Sequence, residues 1–126
     1  TMPLSALPSG REAVFVFAED EDVRCTVEQI LSVVGYKVSL GSDLESSLTT
    51  LGASSAQLVL IDVKSIAGSQ GIKVLQAVRK LQPPLRTIVI RDSIPVHHTG
   101  IATLQKPFDL MALATTVRRV LDGDHR

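Results

Sequence analysis

A chain of 126 residues fits one ordinary domain and is too short for two. With 44% hydrophobic and 21% charged residues, it has the composition of a globular protein rather than a disordered one. Thirteen Lys and Arg balance thirteen Asp and Glu, which argues against a basic nucleic-acid footprint or a polybasic membrane anchor. The single cysteine, Cys25, excludes an intrachain disulfide framework and a multi-cysteine metal site. It lies early in the first helical segment and is expected to be a buried or half-buried small residue rather than a reactive thiol.

The longest apolar run, Ala13–Ala18, is far short of the roughly 20 residues a membrane span needs. The opening stretch has neither a basic start nor an apolar core, so it does not read as a secretory signal. Pro3, Pro8 and Gly10 break any periodicity there, and residues 1–11 read as a linker or added tail. Residues 12–122 form the expected domain and 123–126 a short tail, in a cytoplasmic setting by default.

Ala13-Val14-Phe15-Val16-Phe17-Ala18 has the continuous apolar character of a strand buried on both faces of a parallel sheet. Val23, Val27, Ile30, Leu31 and Val34 follow at spacings of three and four, one stripe of a helix that Gly35 ends in a left-handed conformation. Tyr36–Leu40 reads as a second strand. Ser42 or Asp43 then caps a second helix, with Leu44, Leu48 and Leu51 facing inward and Gly52 ending it.

Gln57–Ile61 is a third strand, terminating on Asp62. Ile72, Leu75, Val78 and Leu81 mark a third helix, closed by Pro83-Pro84. Thr87–Ile90 is the fourth strand, Ala102–Gln105 a weak fifth, and Leu110–Leu121 a final amphipathic helix after Pro107. Strands alternating with helices predict βαβ units on a parallel sheet covered on both faces. Only 14 residues separate Arg91 from Lys106, and 92–101 show no helical period. A parallel crossover ordinarily needs a dozen residues or more, so the fourth crossover helix is expected to be missing or shortened.

In such a sheet, ligands bind outside the carboxyl ends of the strands. Strand one ends in Glu19-Asp20-Glu21-Asp22, strand three in Asp62, strand four in Arg91 and strand five in Lys106. Carboxylates from two strands beside a lysine suit a hard divalent cation such as Mg²⁺ and a transferred phosphoryl group, with Asp62 as nucleophile. A flavodoxin-like cofactor enzyme fits poorly, because acids rather than a glycine-rich phosphate loop follow strand one.

At these residues the chain resembles the receiver domain of two-component response regulators and hybrid histidine kinases, over about residues 12–122. Phe17-Ala18-Glu19-Asp20-Glu21-Asp22-Val23-Arg24 is similar to the family's acidic-pair segment. Leu58-Val59-Leu60-Ile61-Asp62-Val63-Lys64 is similar to its phosphoacceptor strand, and Gln105-Lys106-Pro107-Phe108-Asp109 to its lysine-proline-phenylalanine turn. The resemblance implies a doubly wound five-stranded sheet in order 2-1-3-4-5.

It also implies Asp62 as phosphoacceptor, Lys106 as the phosphate-contacting lysine, and a Mg²⁺ site of Glu19, Asp20, Asp62 and the Lys64 carbonyl. The Lys106–Pro107 peptide is expected to be cis, and the partners are a histidine kinase or a phosphotransfer protein. Receiver domains assist their own phosphotransfer, so no stand-alone enzyme activity is expected. The parent protein could be a hybrid kinase.

The chain also departs from the family pattern. In ungapped register Ala18 holds the first acidic position and Glu19 the second, which weakens Mg²⁺ binding. A one-residue slip would pair Glu19 with Asp20 but misplace Arg24. Arg91 stands where a small hydroxyl residue normally ends strand four, and Thr103 replaces the aromatic switch residue of strand five. These changes open an alternative: a phosphorylation-independent pseudo-receiver that binds a protein or small nucleotide near Arg91 and 92–101. His97-His98 lacks the partners of a metal site. Neither reading requires direct nucleic-acid or membrane contact by this domain.

Overall fold

The computed structural model describes residues 8–53, 55–63, 70–80, 85–91, 102–106 and 108–123. The elements in chain order are β1 (Ala13–Phe17), α1 (Glu21–Val33), β2 (Lys37–Gly41), α2 (Leu44–Ala53), β3 (Leu58–Val63), α3 (Gln70–Arg79), β4 (Arg86–Arg91), β5 (Ala102–Gln105) and α4 (Leu110–Leu121). Five strands form one parallel sheet in the order β2-β1-β3-β4-β5, as expected. β4 and β5 pair directly, and the segment expected to lack a crossover helix, 92–101, lies outside the described residues.

Strand pleating sorts the core into two halves. Val14 and Val16, Leu58 and Leu60, and Ile88 and Ile90 pack with Val27 and Leu31 of α1 and Leu113 and Val117 of α4. The alternate residues Phe15 and Phe17, Val59 and Ile61, and Val89 pack with Leu51 of α2 and Val74, Leu75 and Val78 of α3. Because side chains alternate across a strand, burial on both faces demands the uninterrupted apolar runs seen in the sequence.

α1 ends as its glycine predicts. Gly35 has φ +102°, its N–H donates to the Ser32 carbonyl, and the Tyr36 N–H donates to the Leu31 carbonyl. This is a Schellman closure, with Tyr36 and Leu31 in the same core. Asp43 caps the start of α2, its Oδ1 accepting from the Ser46 N–H at 2.8 Å.

Three details differ from the periodicity reading. In α2 the inward residues are Leu44, Ser47 and Leu51, while Leu48 is 41% exposed. In α3 Val74 is buried and Ile72 is exposed. Cys25 is exposed rather than buried, because it lies on the solvent side of the Val27–Leu31 stripe. Among the described residues no helix is long and apolar enough to cross a membrane.

Candidate functional site

The carboxyl edge of the sheet gathers the chemistry. Asp62 lies in β3, paired across to Ile90 of β4, and Ile90 pairs with Leu104 of β5. Two residues beyond Leu104, where β5 has ended, comes Lys106. Asp62 continues the face of Leu58 and Leu60, as Lys106 continues that of Ala102 and Leu104, so the pleat brings both to the α1/α4 side. Lys106 Nζ stands 2.8 Å from Asp62 Oδ1.

The Asp62 side chain is fully buried, while that of Lys106 is 24% exposed. Among the described residues neither Asp62 oxygen has a partner with hydrogen-bond geometry, so the contact is an ion pair and Oδ2 is left unsatisfied there. A buried carboxylate oxygen without a donor carries a desolvation cost, and it is the atom in this edge that most needs a ligand.

The β1–β3 register ends with Phe17 opposite Ile61, so the next residue, Ala18, falls opposite Asp62. Ala18 is fully buried, its N–H donates to the Gly41 carbonyl at 3.1 Å, and its own carbonyl accepts from Arg24 Nη1 at 2.8 Å. Both backbone groups of Ala18 are thus tied down. Nothing local in the sequence announces that Arg24 reaches back to this carbonyl.

Asp20 has a different employment. Its Oδ1 accepts from the Asp22 N–H at 2.8 Å as the N-cap of α1, with Glu21 and Asp22 in the first turn, where the helix dipole favours negative charge. Glu19 is half-buried. Among the described residues no three His, Cys, Asp or Glu side chains come together as metal ligands, so Glu19, Asp20 and Asp62 do not form the expected carboxylate set.

Mg²⁺ demands a near-octahedral shell of oxygens. A methyl opposite Asp62, a capping role for Asp20 and an ammonium beside Oδ1 do not fit that ion. The Lys64 carbonyl and the Lys106–Pro107 peptide lie outside the described residues, as do the side chains of Arg91 and Thr103, whose backbones sit in β4 and β5.

A parallel sheet in this order, layered by helices on both faces and carrying a buried aspartate at the carboxyl edge of its central strand, is the fold seen in response-regulator receiver domains. The chain is 28% identical over 123 residues to the C4-dicarboxylate transport transcriptional regulatory protein DctD of Rhizobium meliloti, covering 92% of this chain and 26% of that protein. It is also 28% identical over 122 residues to the DNA-binding transcriptional regulator NtrC of Bradyrhizobium sp., covering 91% and 25%. The chain therefore spans about a quarter of the length of these curated relatives. No protein-family model matches it.

Among solved structures, a CheY-like response regulator receiver domain protein from Methanospirillum hungatei superposes with a TM-score of 0.78 at 20% identity, covering 91% of this chain and 97% of that one. CheY4 of Vibrio cholerae gives 0.75 at 20% identity, covering 88% and 99%. NtrX from Brucella abortus gives 0.77 at 21% identity, covering 91% of this chain and 28% of that one. At such identities the structural likeness speaks for the fold.

Proposed function

We propose that residues 12–122 act as the receiver module of a two-component or phosphorelay system, with Asp62 accepting a phosphoryl group from a histidine donor. The observation that carries this reading is the buried Asp62 carboxylate with Lys106 Nζ 2.8 Å from one oxygen and the other oxygen unsatisfied. Oδ2 supplies the electron pair that forms the new O–P bond. The P–N bond of the phosphohistidine breaks, and the imidazole leaves with its electrons and takes up a proton. Lys106 offsets charge on the incoming phosphoryl oxygens, a role suited to a fixed cation in a water-poor pocket. Transfer requires the cover over Asp62 to open, because its side chain has no exposed surface. The partners on this reading are a histidine kinase or a histidine phosphotransfer protein.

A second reading, a phosphorylation-independent module that docks a protein or nucleotide, is favoured by the buried Ala18 facing Asp62 where a second carboxylate would assist transfer. Intact-mass measurement after incubation with a phosphorylated histidine phosphotransfer protein separates the two. One added phosphoryl group, absent from Asp62→Asn, supports transfer. A folded protein that gains none leaves the docking module.

A further inference from the structure

We infer that the Asp62 pocket, with Lys106 as its counter-charge, holds its state without a divalent cation, so that the protein does not respond specifically to Mg²⁺. The inference rests on the reading of Asp62 as the responsive group. Four observations converge on it.

The β1–β3 register ends with Phe17 opposite Ile61, and the residue that follows Phe17 toward Asp62 is a fully buried alanine, whose methyl offers no oxygen. Asp20 is held as the cap of α1, with its Oδ1 on the Asp22 N–H. No three acidic, histidine or cysteine side chains meet among the described residues. Lys106 Nζ already sits 2.8 Å from Asp62 Oδ1.

The charge arithmetic points the same way. Asp62 and Lys106 neutralise each other as an ion pair, so a dication placed at Oδ2 would face the Lys106 ammonium across a carboxylate whose charge is already offset. Repulsion from the ammonium then adds to the cost of stripping water from Mg²⁺, an ion that dehydrates reluctantly. Small ionic attraction through bulk solvent remains, because Asp20, Glu21 and Asp22 are exposed nearby. That attraction is unspecific and screened by any salt. Ala18 thus withholds a ligand, and Lys106 occupies the charge that the ion would otherwise supply.

The test is an amide NMR titration of the whole chain with MgCl₂, against KCl at matched ionic strength. The expected result is that the amides of Ala18, Asp62 and Lys106 move alike in both salts, with no saturable Mg²⁺ component. Saturable shifts specific to Mg²⁺ at those amides overturn the inference. Two variants probe its causes. Folded Ala18→Asp, which puts a carboxylate opposite Asp62, is expected to gain a saturable Mg²⁺ response, and Lys106→Met is expected to gain a weaker one. Silence in both overturns the account that these residues exclude the ion.

Phosphoryl transfer from phosphoramidate, read by intact mass with and without EDTA, keeps this idea apart from the acceptor reading. A mass gain in EDTA supports both. A gain that needs Mg²⁺ overturns the inference and keeps the acceptor. No gain in either condition removes the acceptor and leaves the titration to decide the cation.

Discussion

Arg118 in the last turn of α4 grips Glu12, ahead of β1, through both carboxylate oxygens: Nη1 to Oε1 at 3.1 Å and Nη2 to Oε2 at 2.6 Å. The same guanidinium donates to the Ser9 carbonyl at 3.1 Å and to Asp122 Oδ1 at 3.2 Å. The planar fork of arginine matches a carboxylate in a way lysine does not. One side chain therefore fastens the segment before the first strand to the end of the last helix.

This clamp makes stability depend on acid. The Arg118 hydrogen bonds hold Glu12 at a pKa of about 2, against an ordinary value of 4.5, with burial working in the opposite direction. A carboxyl whose folded pKa is depressed contributes its stability above the unfolded value and loses it as pH falls through the folded one. The contribution is thus complete above pH 4.5 and disappears between about 4.5 and 2. The two side chains are about a quarter exposed, so solvent screening keeps the pair near ~1 kcal/mol, below what the shift alone implies. Urea midpoints measured across that window are expected to fall more steeply for the native protein than for Glu12→Gln. Parallel slopes would remove the clamp from the pH response.

Gly35 and Gly123 provide a controlled pair. Both have positive φ, +102° and +96°. A Cβ on Gly35 would stand 2.5 Å from the Gly10 carbonyl oxygen, whereas one on Gly123 meets nothing within 4 Å. Gly123→Ala is expected to cost about 1 kcal/mol for the left-handed backbone alone. Gly35→Ala should cost about 2–4 kcal/mol, because the docked segment must also move. Equal thermal shifts in the two variants would mean that the Gly10 contact is not held in solution.

The Asp62–Lys106 pair predicts an asymmetry between its two deletions. Lys106→Met leaves a fully buried carboxylate without its counter-charge and is expected to destabilise by about 1–3 kcal/mol. Asp62→Asn removes the buried charge itself and leaves an ammonium that is partly exposed, so it is expected to lie within about 1 kcal/mol of the native protein or above it. Denaturation of the two variants side by side checks the order. A reversed order would show that Lys106, not Asp62, is the strained member.

Much of this was legible in the sequence because it follows from strand ends. Asp62 and Lys106 each sit where an apolar run stops, so a parallel sheet had to bring them to one edge. Gly35 was legible because only a residue without Cβ closes a helix cheaply at positive φ. Other features depend on contacts that periodicity does not encode. Arg118 and Glu12 are 106 positions apart, and nothing local in either segment announces the other. Asp20 looked like a ligand among four acids, yet only the start of α1 decides which of them becomes the cap. The inward face of α2 departs from the periodicity for a similar reason. Leu48 is the more hydrophobic choice, but Leu44, Ser47 and Leu51 also lie one helical turn apart, and Ser47 packs close against Gly41 of β2.

Ser47 itself carries the last prediction. It is fully buried, its Oγ has no hydrogen-bond partner among the described residues, and it lies where a Cβ on Gly41 would strike it, with Phe15 close by. An unpartnered buried hydroxyl costs free energy that its removal restores, and alanine is also the better helix former. Ser47→Ala is therefore expected to stabilise by about 0.5–1.5 kcal/mol. Enlarging the residue should do the opposite: Ser47→Leu, which would complete the hydrophobic stripe, is expected to destabilise by about 1–3 kcal/mol through overpacking against β1 and β2. On the same helix Leu51→Ala should cost about 2–4 kcal/mol, and Leu48→Ala less than about 1 kcal/mol. Chemical denaturation of these four variants reads the orientation of α2 directly. If Leu48→Ala costs as much as Leu51→Ala, the helix is turned toward Leu48 in solution and Ser47 does not face the sheet.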